Sequence, residues 1–352
     1  MPIQRLPETV HTLYAELFDQ VIRAEAELRL DQPRQGSFVS KLVKGRRYWY
    51  LQRADGDRKK QHYLGPESEQ LSAWMREVAE ARRRTAPDTA RRAELVEMLV
   101  AGGAARESAA VTKVLGTLAD AGLFRLGALV VGTQAFTCYA NLLGVRYERS
   151  TTRTQDIDIA QERSVGIALA AEPPDLDVLE ALRRAEAAFF AVPELDPRSP
   201  SSSFKVRGRD LRVDLLTPAR GRVAAGPVPI PWLHTAATPL PFLGYLIEES
   251  VQAVLLGGSG VLLNVPPPGR FALHKLWLAR QRPVAEQAKA RKDVQQAESL
   301  LEVLLADRPE EIRAAWAALE RRPRERSVVR RALSKRENVE SIVGTRRLLG
   351  LR

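Results

Sequence analysis

Residues 155–160 read Gln155-Asp156-Ile157-Asp158-Ile159-Ala160. Strict alternation of polar and branched apolar residues marks a strand with one buried face, because side chains at i and i+2 project to the same side. Asp156 and Asp158 therefore share a face, while Ile157 and Ile159 point to the core. Two carboxylates held this close repel each other, and a cation between them relieves the repulsion. The alternation recurs in Leu211-Arg212-Val213-Asp214-Leu215-Leu216, where Val213 and Leu215 alternate against Arg212 and Asp214. Hard oxygen ligands suit Mg²⁺ or Mn²⁺. Three carboxylates on adjacent strands match a two-metal phosphoryl-transfer site. Taken alone, the pattern also fits an edge strand with a solvated acidic face.

The flanking sequence adds a phosphate cradle. Leu129-Val130-Val131-Gly132-Thr133 is an apolar strand ending in glycine plus a small hydroxyl residue and running straight into a helix, Gln134–Gly144. Free N–H groups at a helix start, together with the Thr133 hydroxyl, suit a phosphate. Strands and helices alternate onward: a helix over Pro174–Phe190, a hairpin turning at Arg207-Gly208 and a Pro-rich stretch over Gly226–Pro241. A second hairpin follows over Ser250–Pro266, then helices at Arg270–Gln281, Val284–Ala306 and Pro309–Arg321 and a basic tail. Gly257-Gly258-Ser259-Gly260 lacks the Lys-Ser/Thr of a phosphate loop and reads as the hairpin turn. Cys138 and Tyr139 lie within an apolar helix and read as core, and His274 reads as a packing or surface residue.

Together these segments resemble the DNA polymerase β-like nucleotidyltransferase superfamily. Its signature is a Gly-Gly or Gly-Ser turn, a helix, a flanked Asp-x-Asp and a third aspartate on a later strand. Gly132 and Thr133 match the turn, Asp156 and Asp158 the metal pair, and Asp214 the third carboxylate. The run Arg153-Thr154-Gln155-Asp156-Ile157-Asp158 is similar to the lead-in of bacterial minimal nucleotidyltransferases, among them abortive-infection-type toxins of toxin–antitoxin pairs. Thr133 departs from the usual Gly or Ser, and the longer gap to Asp156 is assigned to an extra loop at Val145–Ser150.

The resemblance implies an α+β fold, with a nucleotidyltransferase-type mixed sheet flanked by helices, an N-terminal β-hairpin and helical region, and a C-terminal helical domain. It implies two Mg²⁺ or Mn²⁺ ions on Asp156, Asp158 and Asp214, and an NTP gripped by Gly132, Thr133 and Lys275. The reaction implied is transfer of NMP to a hydroxyl acceptor with loss of pyrophosphate. RNA, including tRNA ends, is the acceptor favoured by charge; a protein side chain or a small hydroxylated compound stays open. Two other readings stand beside it: a nucleic-acid-binding module on a degenerate scaffold, and a toxin restrained by a small antitoxin-like protein.

Further candidates come from the C-terminal helices. Phe271–Ala279 is apolar nearly all round, so Lys275 sits on a buried helix and needs a counter-ion. Asp293 begins an apolar stripe continued by Ala297, Leu300 and Leu304, which makes it the natural partner. Lys275, Lys292 and Asp293 also resemble the family's nucleotide-binding helices. A buried salt bridge that only fixes helix packing is the competing reading.

Composition bounds the rest. Lys+Arg 54 against Asp+Glu 43 gives a formal charge of +11, which tilts partners toward polyanions. One cysteine, Cys138, and four scattered histidines exclude a disulfide scaffold and make a zinc enzyme improbable. The longest apolar runs are broken by glycine and no basic-then-apolar leader opens the chain, so a soluble cytoplasmic protein is expected, with no membrane partner. Domain boundaries are expected at 1–86, 87–125, 126–265 and 266–352, the second a helical pair that could form a winged-helix-like unit.

In the first unit a helix over 9–30 precedes two β-prone runs, Arg46–Gln52 and Lys59–Leu64, around Ala54-Asp55-Gly56-Asp57. A charged helix over Ser68–Arg84 is expected to stop before Pro87. Arg46, Arg47, Tyr48, Trp49, Tyr50, Lys59 and Lys60 mix cations with rings, as single-stranded nucleic-acid platforms do. A small sheet whose tyrosines pack on neighbouring helices is the plainer alternative.

Overall fold

The computed structural model describes residues 3–26, 37–43, 45–55, 58–147, 155–163, 175–194, 196, 199–221, 226–335 and 339–351. Strand β1 (Ile3–Arg5) leads into α1 (Glu8–Ala26), followed by β2 (Ser37–Val43), β3 (Arg46–Asp55) and β4 (Arg58–Pro66). These last three form an antiparallel sheet in the order β2-β3-β4. The expected hairpin is thus the larger part of a three-stranded sheet, and its Gly56-Asp57 turn lies outside the described residues.

Helix α2 spans Glu69–Ala101 without a break at Pro87, contrary to the expected stop, and passes through position 86/87. Proline removes one intrahelical hydrogen bond. Here apolar side chains hold the helix on both sides of it, with Met75 and Val78 before and Leu95, Val96 and Leu99 after, all buried. Ser68 caps its start by accepting from the Leu71 N–H at 3.1 Å. The chain continues through α3 (Ala109–Asp120), β5 (Leu129–Val131), α4 (Gly132–Leu142), β6 (Val145–Tyr147) and β7 (Asp156–Ala160). Val145–Tyr147 is therefore not the start of a loop. It pairs antiparallel with β1, Ile3 opposite Tyr147, and ties the N-terminus to the segment after α4. Residues 148–154, including Arg153 and Thr154, lie outside the described set.

Next come α5 (Val178–Ala185), β8 (Phe189–Ala191), β9 (Ser203–Val206), β10 (Arg212–Pro218), β11 (Val228–Ile230) and β12 (Thr235–Leu240). The helix expected over 174–190 is shorter, because Phe189–Ala191 joins the sheet beside β9. Part of the Pro-rich stretch likewise becomes β11 and β12. The central sheet has the order β11-β12-β10-β7-β5, with β9 pairing β10 and β8 pairing β9. It is mixed: β7, β10 and β12 run parallel while β5, β8, β9 and β11 pair antiparallel.

Short α6 (Leu243–Ile247) precedes a hairpin of β13 (Val251–Leu255) and β14 (Val261–Val265), with the glycine-rich segment as its turn. The remaining helices are α7 (Pro268–Gln281), α8 (Gln287–Asp307), α9 (Pro309–Ala317), α10 (Pro323–Ser334) and α11 (Glu340–Leu348). Among the described residues, no helix is long and apolar enough to cross a membrane.

One continuous core joins the central sheet to α3, α4, α5 and the C-terminal helices. Ile157, Ile159, Val213 and Leu215 are at most 1% exposed. Their burial fixes the register of β7 against β10, since a one-residue slip would turn every carboxylate into the core.

Candidate active site

Parallel pairing sets Asp158 opposite Asp214 and Asp156 opposite Arg212. With Ile157, Ile159, Val213 and Leu215 inside, all four polar residues project from the other face of the central sheet. On the remaining side β5 pairs Val131 with Asp158, which brings the strand end and the Gly132–Thr133 turn to the same carboxylate. Gly132 has φ +69°, and a Cβ there would lie 2.5 Å from Asp158 Oδ2. The glycine is thus required twice, by its left-handed backbone and by the close approach of the carboxylate.

Burial pushes the Asp158 carboxyl up to about 6, and Asp214 and Asp156 add to the rise, while Lys275 and Arg212 oppose it. Asp214 accepts from Arg212 Nε at 2.8 Å. Arg212 escaped notice in the sequence as a site residue, although its place two residues before Asp214 on the same strand face was visible there.

The C-terminal helices close this face. Lys275 on α7 donates to Asp293 Oδ1 on α8 at 2.7 Å, and Arg282 Nε donates to Asp293 Oδ2 at 2.7 Å. Asp293 is thereby shared between two cations, of which Arg282 was not anticipated. Lys292 Nζ donates to Thr133 Oγ1 at 3.3 Å and so connects α8 to the glycine turn. Burial and the nearby Lys275 lower the Lys292 ammonium, whereas Asp293, Asp156 and Asp158 raise it. Lys292 thus stands in the field of the paired aspartates. His274, Tyr139 and Cys138 are buried. His274 stacks on Phe242 with ring centroids 5.4 Å apart, and the Tyr139 hydroxyl donates to the Pro266 carbonyl at 2.7 Å.

A hard divalent cation is compatible with this face in donor chemistry: carboxylate oxygens, one of them disfavoured as an anion by burial and then by its two acidic neighbours. Among the described residues no three carboxylate, imidazole or thiolate groups converge into a metal cage by themselves. Magnesium commonly takes one or two carboxylates and completes its shell with substrate phosphates and water, so a partial donor set is what such a site needs.

The other candidates lie elsewhere. Arg46, Arg47, Tyr48, Trp49, Tyr50 and Lys59 belong to the N-terminal three-stranded sheet, and nothing is described of the Lys60 side chain. Tyr48 and Tyr50 share a face, whereas Arg47 and Trp49 occupy the opposite one; the Trp49 indole nitrogen is buried and Arg47 pairs with Glu67 at 3.4 Å. The seven candidates therefore do not form one surface.

A family described as Nucleotidyltransferase matches residues 109–320. The chain belongs to this nucleotidyltransferase family. The match begins at α3 and runs beyond α9, so it takes in Gly132, Thr133, the three aspartates and the α7–α8 pair together. A domain of unknown function (DUF6788) matches residues 4–73, which contain the N-terminal sheet. No curated protein matches the chain. Among solved structures, the crystal structure of an antigenic nucleotidyltransferase-like protein from Paracoccidioides brasiliensis is similar at 14% identity, with TM-score 0.33, over 63% of this chain and 94% of that one. That distant likeness says nothing about individual residues.

Proposed function

We propose that the protein transfers a nucleoside monophosphate from an NTP to a hydroxyl acceptor on RNA. What supports this reading is the placement of Asp156, Asp158 and Asp214 on one face of the paired strands β7 and β10, against a glycine turn to which Lys292 reaches. The acceptor oxygen forms a bond to the α-phosphorus, the bond from that phosphorus to the bridging oxygen breaks, pyrophosphate leaves and the hydroxyl proton passes to water. Asp156, Asp158 and Asp214 would hold two Mg²⁺ or Mn²⁺ ions, which supply charge neutralisation of the phosphates and lower the pKa of the acceptor hydroxyl.

The protein's own groups do the positioning. Gly132 lets the backbone approach the phosphates and Thr133 offers its hydroxyl. Lys292 supplies a cation beside that turn, while Asp293 fixes Lys275 and Arg282 behind it. Positioning and charge stabilisation account for most catalysis of this kind. The +11 charge supports RNA as the acceptor, because a polyanion matches an excess of cations.

The test is incubation with each α-labelled NTP, Mg²⁺ or Mn²⁺, and total RNA or total protein. Wild type is expected to label RNA, and Asp156→Asn/Asp158→Asn to label nothing. Equal labelling by both proteins would defeat the enzyme reading, and label appearing only in protein would replace the acceptor. A binding readout complements it: Mn²⁺ should raise the melting temperature of wild type and leave that of the double variant unchanged.

A further inference from the structure

The N-terminal sheet has two chemically different faces. Register places Phe38, Trp49 and Leu51 on one of them. This face is backed by α2, where Phe38 meets Trp74 edge-on at 5.6 Å and Leu51 is 5% exposed. On the other face β3 contributes Arg46, Tyr48 and Tyr50, β2 contributes Lys41 opposite Tyr48, and β4 contributes Lys59 and Tyr63, the latter opposite Tyr50. No strand position on this second face holds an acidic residue.

The rings on it form a group. Tyr63 is 58% exposed, lies 5.5 Å from Tyr50 in an edge-to-face arrangement, and lies 6.2 Å from Tyr48. Lys41 Nζ sits 4.8 Å from the centre of the Tyr50 ring. Arg46 and Lys59 are exposed and form no ion pair among the described residues. The contrast with the backed face is sharp: there Arg47 is matched by Glu67.

We infer that this face, built from Lys41, Arg46, Tyr48, Tyr50, Lys59 and Tyr63, is a docking platform for single-stranded nucleic acid. The inference deepens the acceptor assignment above and rests on it for its use in the reaction. A tilted ring group leaves π-faces open to unstacked bases, and uncompensated cations beside it match the phosphates that connect those bases. A folded duplex hides its base faces, so the rings would contribute little to holding one. An acidic protein segment would satisfy the cations and leave exposed tyrosines with no bases to stack on.

Fluorescence anisotropy of the full chain with labelled oligouridylate, labelled oligothymidylate and a labelled duplex tests this without NTP or metal. The expected result is single-strand binding that weakens steeply with salt. Tyr63→Ala and Lys41→Ala should each weaken it, the tyrosine change by about 5- to 100-fold. Tyr63→Phe retains the ring and should bind close to wild type, which separates stacking from misfolding. A preference for either RNA or DNA among the single strands is consistent with the platform and names its ligand. Tighter binding of the duplex, absence of binding by wild type, or binding unchanged within twofold in both Tyr63→Ala and Lys41→Ala would overturn it. Binding should persist in Asp156→Asn/Asp158→Asn. A wild type that binds strands but labels no RNA would therefore defeat the transfer reading and leave the platform standing.

Discussion

Two sheets in this molecule present polar faces of opposite sign. The acidic face of β7 and β10 stands on a core in which Ile157, Ile159, Val213 and Leu215 are essentially sealed, and it is covered by cations from α7 and α8. The basic face of β2, β3 and β4 lies opposite the side on which Phe38 meets Trp74 of α2, and it is open at Tyr63, 58% exposed. Like charges can be held together on the first face because packing fixes the strands below and because counter-charges stand beside them. On the second, the cations are spread and solvated, so little structural support is needed. The first arrangement suits a few atoms placed accurately, the second a long, flexible polyanion. Substitutions should accordingly be costly around the acidic face and cheap on the basic one.

The largest effect is expected behind the acidic face. Asp293 is 3% exposed in its side chain, and it holds Lys275 and Arg282, 11% and 21% exposed. Asp293→Ala leaves the lysine buried without its partner and should cost ~3–5 kcal/mol in denaturant unfolding. Lys275→Met/Asp293→Leu should recover part of that loss, because Arg282 keeps Glu286 at 2.7 Å. A loss below about 1 kcal/mol, the range of surface pairs, would mean that water screens the cluster and that the two faces are less different than drawn.

Gly132→Ala comes next. A methyl group must enter at a left-handed backbone position and 2.5 Å from Asp158 Oδ2. The backbone strain alone is of order 1–3 kcal/mol, and the displaced carboxylate should also abolish the Mn²⁺-induced rise in melting temperature. If that rise survives, Asp158 is not where the cation binds.

Much of this face was legible in the sequence because strand periodicity is local. Asp156, Asp158 and Asp214 declare their shared side through the alternation of Ile157, Ile159, Val213 and Leu215. The Lys275–Asp293 pair was legible for a related reason, a charge within an otherwise apolar helix stripe. What escaped was non-local. Nothing near Pro87 states that α1 and the core on both sides will hold α2 continuous, and nothing in Val145–Tyr147 announces β1 as its partner. The contribution of Lys292 to Thr133 spans 159 residues in sequence. That Tyr63 shares a face with Tyr48 and Tyr50 was likewise not legible, because the irregular register between Trp49 and Tyr50, which sets it against Tyr50, is a property of the paired strands.

A smaller effect concerns acid. Asp158 is raised to about 6 in the folded protein from 3.8, so between those values the native state holds a proton that the unfolded chain has lost. Its contribution makes stability fall as pH rises through that window, by at most about 1.4 kcal/mol per pH unit. His274 is lowered to about 3 from 6.5 by burial, with Lys275 adding to the shift. There the unfolded chain takes up a proton that the native state refuses, so stability rises with pH between about 3 and 6.5. The two slopes oppose each other in the overlap. The two largely cancel from pH 4 to 6, so metal-free Asp158→Asn should leave a gain in stability across that range, and His274→Gln should leave a loss. Urea titrations of both variants across that range would sink the assignment if their slopes matched that of wild type.

The smallest expected effect lies on the open face. Tyr63→Ala removes a ring that touches Tyr48 and Tyr50 but is largely solvated, so the lost contacts are worth ~0.5–1.5 kcal/mol at most and water replaces part of them. Unfolding of the whole protein should then move by no more than about 0.5 kcal/mol, as for other surface substitutions. The effect on oligonucleotide affinity should exceed the effect on stability, the reverse of what Asp293→Ala does at the other face. A Tyr63→Ala protein that loses several kcal/mol and releases the β2–β4 sheet would show that the rings hold the sheet together. The tyrosine group would then be a small core in its own right, and the contrast between a supported acidic face and an open basic one would fail.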